Sequence, residues 1–391
     1  MKDCAIFSIY YRNYNYGGQL QAYAMCEAIK KIGYTSEQLS YVRDKSFAKH
    51  KVKVVLSKSA AEKKDLFRRY VNRFLVKAGI GAKYAHSILK KFDAFMNITP
   101  HSEVYGSQTI YKSSNHYNVF ISGSDQVWNP DTCSDEWFFN FLPEKCPRIA
   151  YSASIGKEYF TTEEKKRLKP LIEKYSFIGV REDKAKEIIE SFTNCKATVV
   201  LDPVMLLDVT EWKRFDKWDI LRKNKYLCVY LVAYNKDIEK KALEYAKKLD
   251  MKAVFITDPR NVMNQNPKGY WIPFENGVGP EEFIALFLNA DLIITNSFHG
   301  MALCINFSKD FYAYYSRKIN DKNTLNSRID TVLNTFKLKN RLTSTDESLT
   351  TEQLKKKIDY RMVSSILENK RNQCLLMLKN AINECGESLN E

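Results

Sequence analysis

Glycine and proline are scarce in this chain. Its 14 Gly and 10 Pro among 391 residues exclude a collagen-like repeat and leave no room for long low-complexity linkers. With 45% hydrophobic and 27% charged residues, a mainly disordered chain is excluded too. A membrane-spanning run is also lacking: the longest uncharged stretch, from Leu292 to Ser308, carries Asn, Ser and His within it. The apolar start of the chain is too short, and too soon broken by Arg12, for a signal peptide. The nine cysteines are odd in number and scattered, with no C-x-x-C pair, as in a reducing compartment. These absences lead to the expectation of a cytoplasmic protein. No Walker loop, H-E-x-x-H, clustered Cys/His set or Asp-x-Asp pair is present, so nothing in the sequence calls for a metal.

What is present fits a large α/β protein. At roughly 150 residues per domain, the length implies two or three domains. The formal charge of +15 would ordinarily suggest a polyanionic partner, but the charge is local. Between Lys45 and Lys91 stand fourteen basic and two acidic residues, so this insertion holds most of the excess. Within it Leu66, Tyr70, Phe74 and Leu75 recur at helical spacing among Lys63, Lys64, Arg68, Arg69, Arg73 and Lys77, the pattern of a basic amphipathic helix. It is expected either to lie on an anionic membrane surface or to present a solvated face. No nucleic-acid-binding motif accompanies the charge, and nucleic acid is not expected as a partner.

Alternating apolar runs and helical segments give the order of elements. Strand 4–9, helix 18–32 and strand 37–42 form a βαβ opening, followed by a polar stretch to residue 117 and strands at 119–122, 149–152, 177–181 and 198–201. Asp202-Pro203 ends this series, and 208–225 reads as a crossover. A second series begins at Tyr226, with strands 226–232, 253–257, 292–295 and 311–314 alternating with helices 236–249, 280–289 and 299–307. The expected architecture is two Rossmann-like halves facing a cleft, 1–207 and 226–391, with a charged helical tail over 351–385.

Ligands of open parallel sheets bind beyond the carboxyl ends of the strands, where helix N-termini favour anions. Four segments stand there: Asn15-Tyr16-Gly17-Gly18, Ser122-Gly123-Ser124-Asp125, Val180-Arg181-Glu182 and Ser297-Phe298-His299-Gly300. Ser297 is placed to cap a helix, and His299, one of five histidines, falls in its first turn. His299 reads either as a functional imidazole at the cleft or as a buried structural histidine. Arg181 reads as an anion clamp or as a salt-bridge partner of Glu182 or Asp183, and Arg328 receives the same two readings. Asp125, in the polar loop Gly123–Asn129 with its single Trp, reads as a group for a hydroxyl-rich ligand or as a turn cap.

These segments resemble the polysaccharide pyruvyl transferase family. The resemblance is carried by NYGGQLQAYAM (15–25), VFISGSDQVWNP (119–130), YSASIG (151–156), FIGVRE (177–182), VLDPVMLL (200–207), DLIITNSFHGMALCINF (291–307) and NSRI (326–329). It implies a fold similar to B-type glycosyltransferases, with an N-terminal acceptor side and a C-terminal donor side. It also implies transfer of the enolpyruvyl group of phosphoenolpyruvate to a sugar of a surface or capsular polysaccharide, giving a pyruvate ketal, with no cofactor. On that resemblance His299 would serve as general acid or phosphate-binding imidazolium, and Asp125 would orient or deprotonate an acceptor hydroxyl. Arg181, Arg328, Ser297 and Gly300 would bind the anionic donor; Gly17, Gly18, Gln19, Ser124, Gln126, Trp128 and Asn129 would face the acceptor. The acceptor would be a sugar or lipid-linked oligosaccharide, which would put the enzyme at the inner face of the membrane. Some relatives carry R-L-H-G where this chain has Ser297-Phe298-His299-Gly300, and Arg317 or Arg328 is expected to replace the missing cation. The rival readings are a metal-independent glycosyltransferase using a nucleotide sugar and a non-catalytic glycan-binding homologue.

Overall fold

The computed structural model describes residues 2–42, 85–257, 259, 268–316 and 326–387. The expected basic helix over Lys63–Lys77 and Arg317 lie outside the described residues.

Two parallel sheets make the frame. The first holds seven strands: β1 (Lys2–Phe7), β2 (Ser36–Val42), β3 (His101–Gly106), β4 (Tyr117–Ser122), β5 (Arg148–Ala153), β6 (Phe177–Val180) and β7 (Thr198–Val199), in spatial order β3-β2-β1-β4-β5-β6-β7. The second holds β8 (Tyr226–Tyr230), β9 (Lys252–Ile256), β10 (Leu292–Thr295), β11 (Phe311–Tyr314) and β12 (Leu342–Thr343), in order β12-β11-β10-β8-β9. Strand order reverses between β1 and β4 in one sheet and between β8 and β10 in the other. Both crevices therefore open at strand carboxyl ends, where loops run into helices.

The helices that matter for the site are α1 (Tyr16–Lys31), α2 (Ala85–Ile98), α3 (Thr162–Ile172), α4 (Asp183–Glu190), α5 (Lys236–Lys248), α6 (Pro280–Asn289), α7 (Phe298–Asn306), α8 (Ser327–Thr335) and α9 (Tyr360–Glu387). Helix α1 begins earlier than its apolar pattern suggests, because Asn15 caps it: the Asn15 side chain accepts from the Gly18 N–H at 3.0 Å. Gly17 and Gly18 thus lie inside the first turn. The polar stretch before Tyr117 contains α2 and the edge strand β3. In β3 only Ser102 and Tyr105 are buried, too sparse an alternation to read as a strand from sequence. The strand expected at 177–181 stops at Val180, and Arg181 lies just past its end.

One apolar cluster runs through both halves. Tyr16 at the start of α1 stacks on Phe283 of α6, ring centroids 4.4 Å apart, and its hydroxyl donates to the Val278 carbonyl at 2.7 Å. Helix α9 leaves the second half, where Tyr360 donates to the Cys304 carbonyl, and crosses to the first, where Cys374 Sγ accepts from the Leu201 N–H and Cys385 meets Ser176. The expected tail is therefore a strap over both sheets. Among the described residues no helix is long and apolar enough to cross a membrane.

The connection after β7 is pinned by Asn306 at the end of α7. Its side-chain amide donates to the carbonyls of Val204 and Leu207 at 2.8 and 2.9 Å, and its oxygen accepts from Arg371 of α9 at 2.8 Å. Asn306→Ala strands a buried carbonyl and a guanidinium that lose this partner, and should lower unfolding stability by about 2 kcal/mol. A urea or thermal denaturation series compared with wild type checks this; an unchanged midpoint would contradict it.

Candidate functional site

The site forms where loops from both sheets meet. Arg181 follows β6, and its backbone N–H continues the ladder onto the Ala153 carbonyl at 3.1 Å. Its side chain enters the cleft almost wholly buried, at 2% exposure. A charge at that depth requires partners, and it has two: Nη1 donates to Asp202 Oδ2 at 3.0 Å and Nη2 to Asp125 Oδ1 at 3.1 Å. The face of the guanidinium lies 4.4 Å from the Phe298 ring centroid. The salt bridge weighed for Arg181 with Glu182 or Asp183 is thus replaced by bonds to carboxylates 21 and 56 residues away. Glu182 turns elsewhere, accepting from Ser154 Oγ and from the N–H groups of Ile155 and Gly156.

Asp125 sits after β4 with φ of 71°, a left-handed backbone that aspartate tolerates better than most residues. Its carbonyl accepts from the N–H groups of Val127 and Ser154, which fixes the loop and sends the carboxylate toward Arg181. Burial opposes its ionisation, but Arg181, His299 and Arg328 together outweigh that and hold the carboxyl below its usual range. Arg328, in the first turn of α8, brings Nη1 to 4.0 Å from the same Asp125 oxygen. Burial first, and repulsion by Arg181 second, push Arg328 down to about 10. It is an under-compensated buried cation, and among the described residues neither its Nε nor that of Arg181 has a hydrogen-bond partner.

His299 enters from the second sheet. The Ser297 side chain caps α7 by accepting from the Gly300 N–H at 3.2 Å, which places His299 in the first turn as the sequence suggests. The imidazole Nε2 lies 3.5 Å from Asp202 Oδ2 and 3.4 Å from Arg181 Nη1. The opposite side of the ring rests on the first turn of α1. A Cβ on Gly17 would stand 2.1 Å from Nδ1, so glycine is required there by the close approach.

The structure brings together Ser124, Asp125, Arg181, His299, Arg328 and Gly17, and it adds Asp202. Other candidates are engaged elsewhere. Trp128, expected to face the acceptor, is a fully buried core residue, stacked on Phe138 and edge-on to Tyr175. Asn129 accepts from the Asp131 N–H in a local turn, and Gln126 packs on Gly156. Gln19 donates to the Tyr10 and Asn13 carbonyls, holding the loop ahead of α1, and Gly18 closes on Asn13 and Ile9. Gly300, expected at the donor, has its N–H occupied by Ser297, and a Cβ there would strike Thr295 Oγ1 at 2.5 Å. Asp202 was readable only as the residue that, with Pro203, ends the first series. An acidic residue inside the otherwise apolar VLDPVMLL at a strand end was the available signal.

Residues 15–317 match the family model of polysaccharide pyruvyl transferase. The chain belongs to this family. Comparison with curated proteins gives no match. Among solved structures it is similar to UDP-GlcNAc 2-epimerase from Neisseria meningitidis, at 12% identity and TM-score 0.42 over 100% of this chain and 99% of that one. It is also similar to UDP-GlcNAc 2-epimerase from Methanocaldococcus jannaschii (14%, TM-score 0.46, 95% and 94%). A third similar structure is the glycosyltransferase SnogD from Streptomyces nogalater (10%, TM-score 0.44, 100% and 99%).

Two outcomes follow for this pyruvyl transferase family member. Gly17→Ala, which in an ordinary helix would stabilise by about 0.5–1 kcal/mol, should here displace the His299 ring. The His299 imidazole resonances should move by NMR while those of the other four histidines stay. The second concerns acid. Because the folded Asp125 carboxyl titrates below its unfolded value of about 4, its stabilisation is complete above that pH and is lost as pH falls through the folded value. Asp125→Asn should flatten the loss of stability as pH falls below about 4, read from urea midpoints; an unchanged slope would contradict the ion pair.

Proposed function

We propose that the protein transfers the enolpyruvyl group of phosphoenolpyruvate to two hydroxyls of one sugar in a surface or capsular polysaccharide or its precursor. The observation that carries this reading is the pair of buried guanidinium groups, Arg181 and Arg328, each with an Nε–H that lacks a partner among the described residues, converging with His299 on one carboxylate-lined point. Two cations and an imidazole suit a small ligand bearing both a phosphate and a carboxylate. Planar guanidinium forks match either group, and an arriving anion relieves the under-compensated Arg328.

The chemistry requires a proton on the methylene carbon of the donor, attack by one hydroxyl at C2 with departure of phosphate, and attack by the second hydroxyl to close the ketal. One hydroxyl proton replaces the proton given to the methylene carbon; the other leaves with phosphate. On this reading His299 exchanges the proton, and Arg181 and Arg328 stabilise charge as phosphate leaves. Asp125, held ionised, orients or deprotonates an acceptor hydroxyl. Ser124 acts through Asp202, to which its hydroxyl donates at 2.8 Å.

Thermal shift tests the donor without an acceptor. Phosphoenolpyruvate at 100 times its dissociation constant should stabilise the fold by about 2.7 kcal/mol, and Arg328→Gln should abolish most of that shift. This variant is the informative one because Arg181→Ala would leave Asp202 and Asp125 buried without their cation and destabilise the ligand-free fold. Stabilisation by a nucleotide sugar, with none by phosphoenolpyruvate, would assign a glycosyltransferase instead.

A further inference from the structure

Asp202 is the least exposed carboxylate of the site, with no side-chain surface open to solvent. Its two oxygens do different work. Oδ1 accepts from the Val204 N–H at 3.1 Å in the tight turn that Pro203 begins, and this bond sets the plane of the carboxylate. Oδ2 is thereby aimed into the cleft, where it accepts from Ser124 Oγ at 2.8 Å and Arg181 Nη1 at 3.0 Å and faces His299 Nε2 at 3.5 Å. Ser124 follows β4, Arg181 follows β6 and His299 opens α7 of the other sheet. A single oxygen atom therefore joins three elements across the cleft.

The surroundings of Nε2 decide which imidazole nitrogen holds a proton. Arg181 Nη1, 3.4 Å away, can only donate, whereas Asp202 Oδ2 can only accept. Nη1 carries two N–H groups and is within reach of both Asp202 Oδ2, at 3.0 Å, and Nε2, at 3.4 Å, so Arg181 and Asp202 compete for Nε2, and the full charge of the buried carboxylate is the stronger of the two. A protonated Nε2 supplies Oδ2 with a further donor. The Nδ1 side of the ring, over Gly17, has no such acceptor among the described residues.

On the pyruvyl-transfer reading of the site, we infer that Asp202 is a positioning residue that holds His299 with its proton on Nε2 and holds Arg181 in register with it, leaving Nδ1, over Gly17, as the nitrogen that exchanges a proton with substrate. The role is indirect. Asp202 touches the two side chains that meet the donor, and its carboxylate is closed off from the donor by them. Burial opposes its ionisation, and His299 and Arg181 together reverse that and hold the carboxyl well below its usual range, so it is ionised and accepts hydrogen bonds at neutral pH. Carboxylates placed behind a working histidine set ring tautomer and orientation in the same way.

The experiment uses full-length protein labelled with 15N-histidine, without ligand, and reads the ring nitrogens by long-range 15N–1H correlation, with His299→Gln identifying the His299 signals. The expected result is a protonated Nε2 throughout a pH titration, with Nδ1 the nitrogen that changes, and a shift toward mixed tautomers in Asp202→Asn. A wild-type ring carrying its neutral-form proton on Nδ1, or an Asp202→Asn spectrum identical to wild type, overturns the inference. If Asp202→Asn does not fold, the wild-type tautomer alone decides. A parallel calorimetric titration with phosphoenolpyruvate should show a dissociation constant raised about 10- to 100-fold in Asp202→Asn. Failure of phosphoenolpyruvate to bind wild type would sink the transferase reading while leaving the tautomer result to stand or fall on its own.

Discussion

A guanidinium buried to the depth of Arg181 is stable only inside a set of carboxylates, and the arrangement of this site follows from meeting that requirement. Asp202 and Asp125 take the two ends of the fork, and Phe298 covers its face. The two carboxylates come from the ends of distant segments of one sheet and the aromatic ring from the other. The ion pairs can therefore form only when both sheets and the connection after β7 are assembled. Breaking one partner of such a buried set is costly, because it leaves the remaining charge desolvated.

The chemistry draws on the same constraint. Arg181 and Arg328 against Asp125 and Asp202 make a locally balanced set in which Arg328 is the less well compensated cation. On the proposed reading, an entering anion gains most at that point. Helices α1 and α7 start on either side of the imidazole, and Gly17 allows the close approach that seats the ring. The small residue in the first turn of α1 thus contributes space for the ring, where an alanine would offer better helix propensity.

Much of this was legible in the chain. The alternation of apolar runs and helices shows two parallel sheets, and Ser297 is recognisable as the cap that puts His299 in a first turn. The short motifs around Asn15, Asp125, Arg181 and Asn326 mark the loops that meet. Other features were hidden because they depend on partners far along the chain. Arg181 reads, from sequence, as an anion clamp or as a partner of its neighbours Glu182 or Asp183, yet Glu182 binds the turn at 154–156. Trp128 reads as a sugar-facing aromatic but fills the core beneath β4. The edge strand β3 gives too weak a pattern to read because only two of its residues are buried, and Asp202 reads only as the end of a strand series before Pro203.

The amino-acid sequence by itself determined the periodicities, the caps and the placing of polar residues at strand ends, since these are local and follow from backbone geometry and helix-end hydrogen bonding. It also determined membership of the polysaccharide pyruvyl transferase family, through motifs spread over residues 15–317. Only the tertiary structure decided which charges pair, which polar groups face the cleft and which nitrogen of His299 meets Asp202. Those choices turn on burial, which is a property of the assembled fold: a charge acquires its partner by being removed from water beside it, and no local stretch of sequence specifies what will stand there.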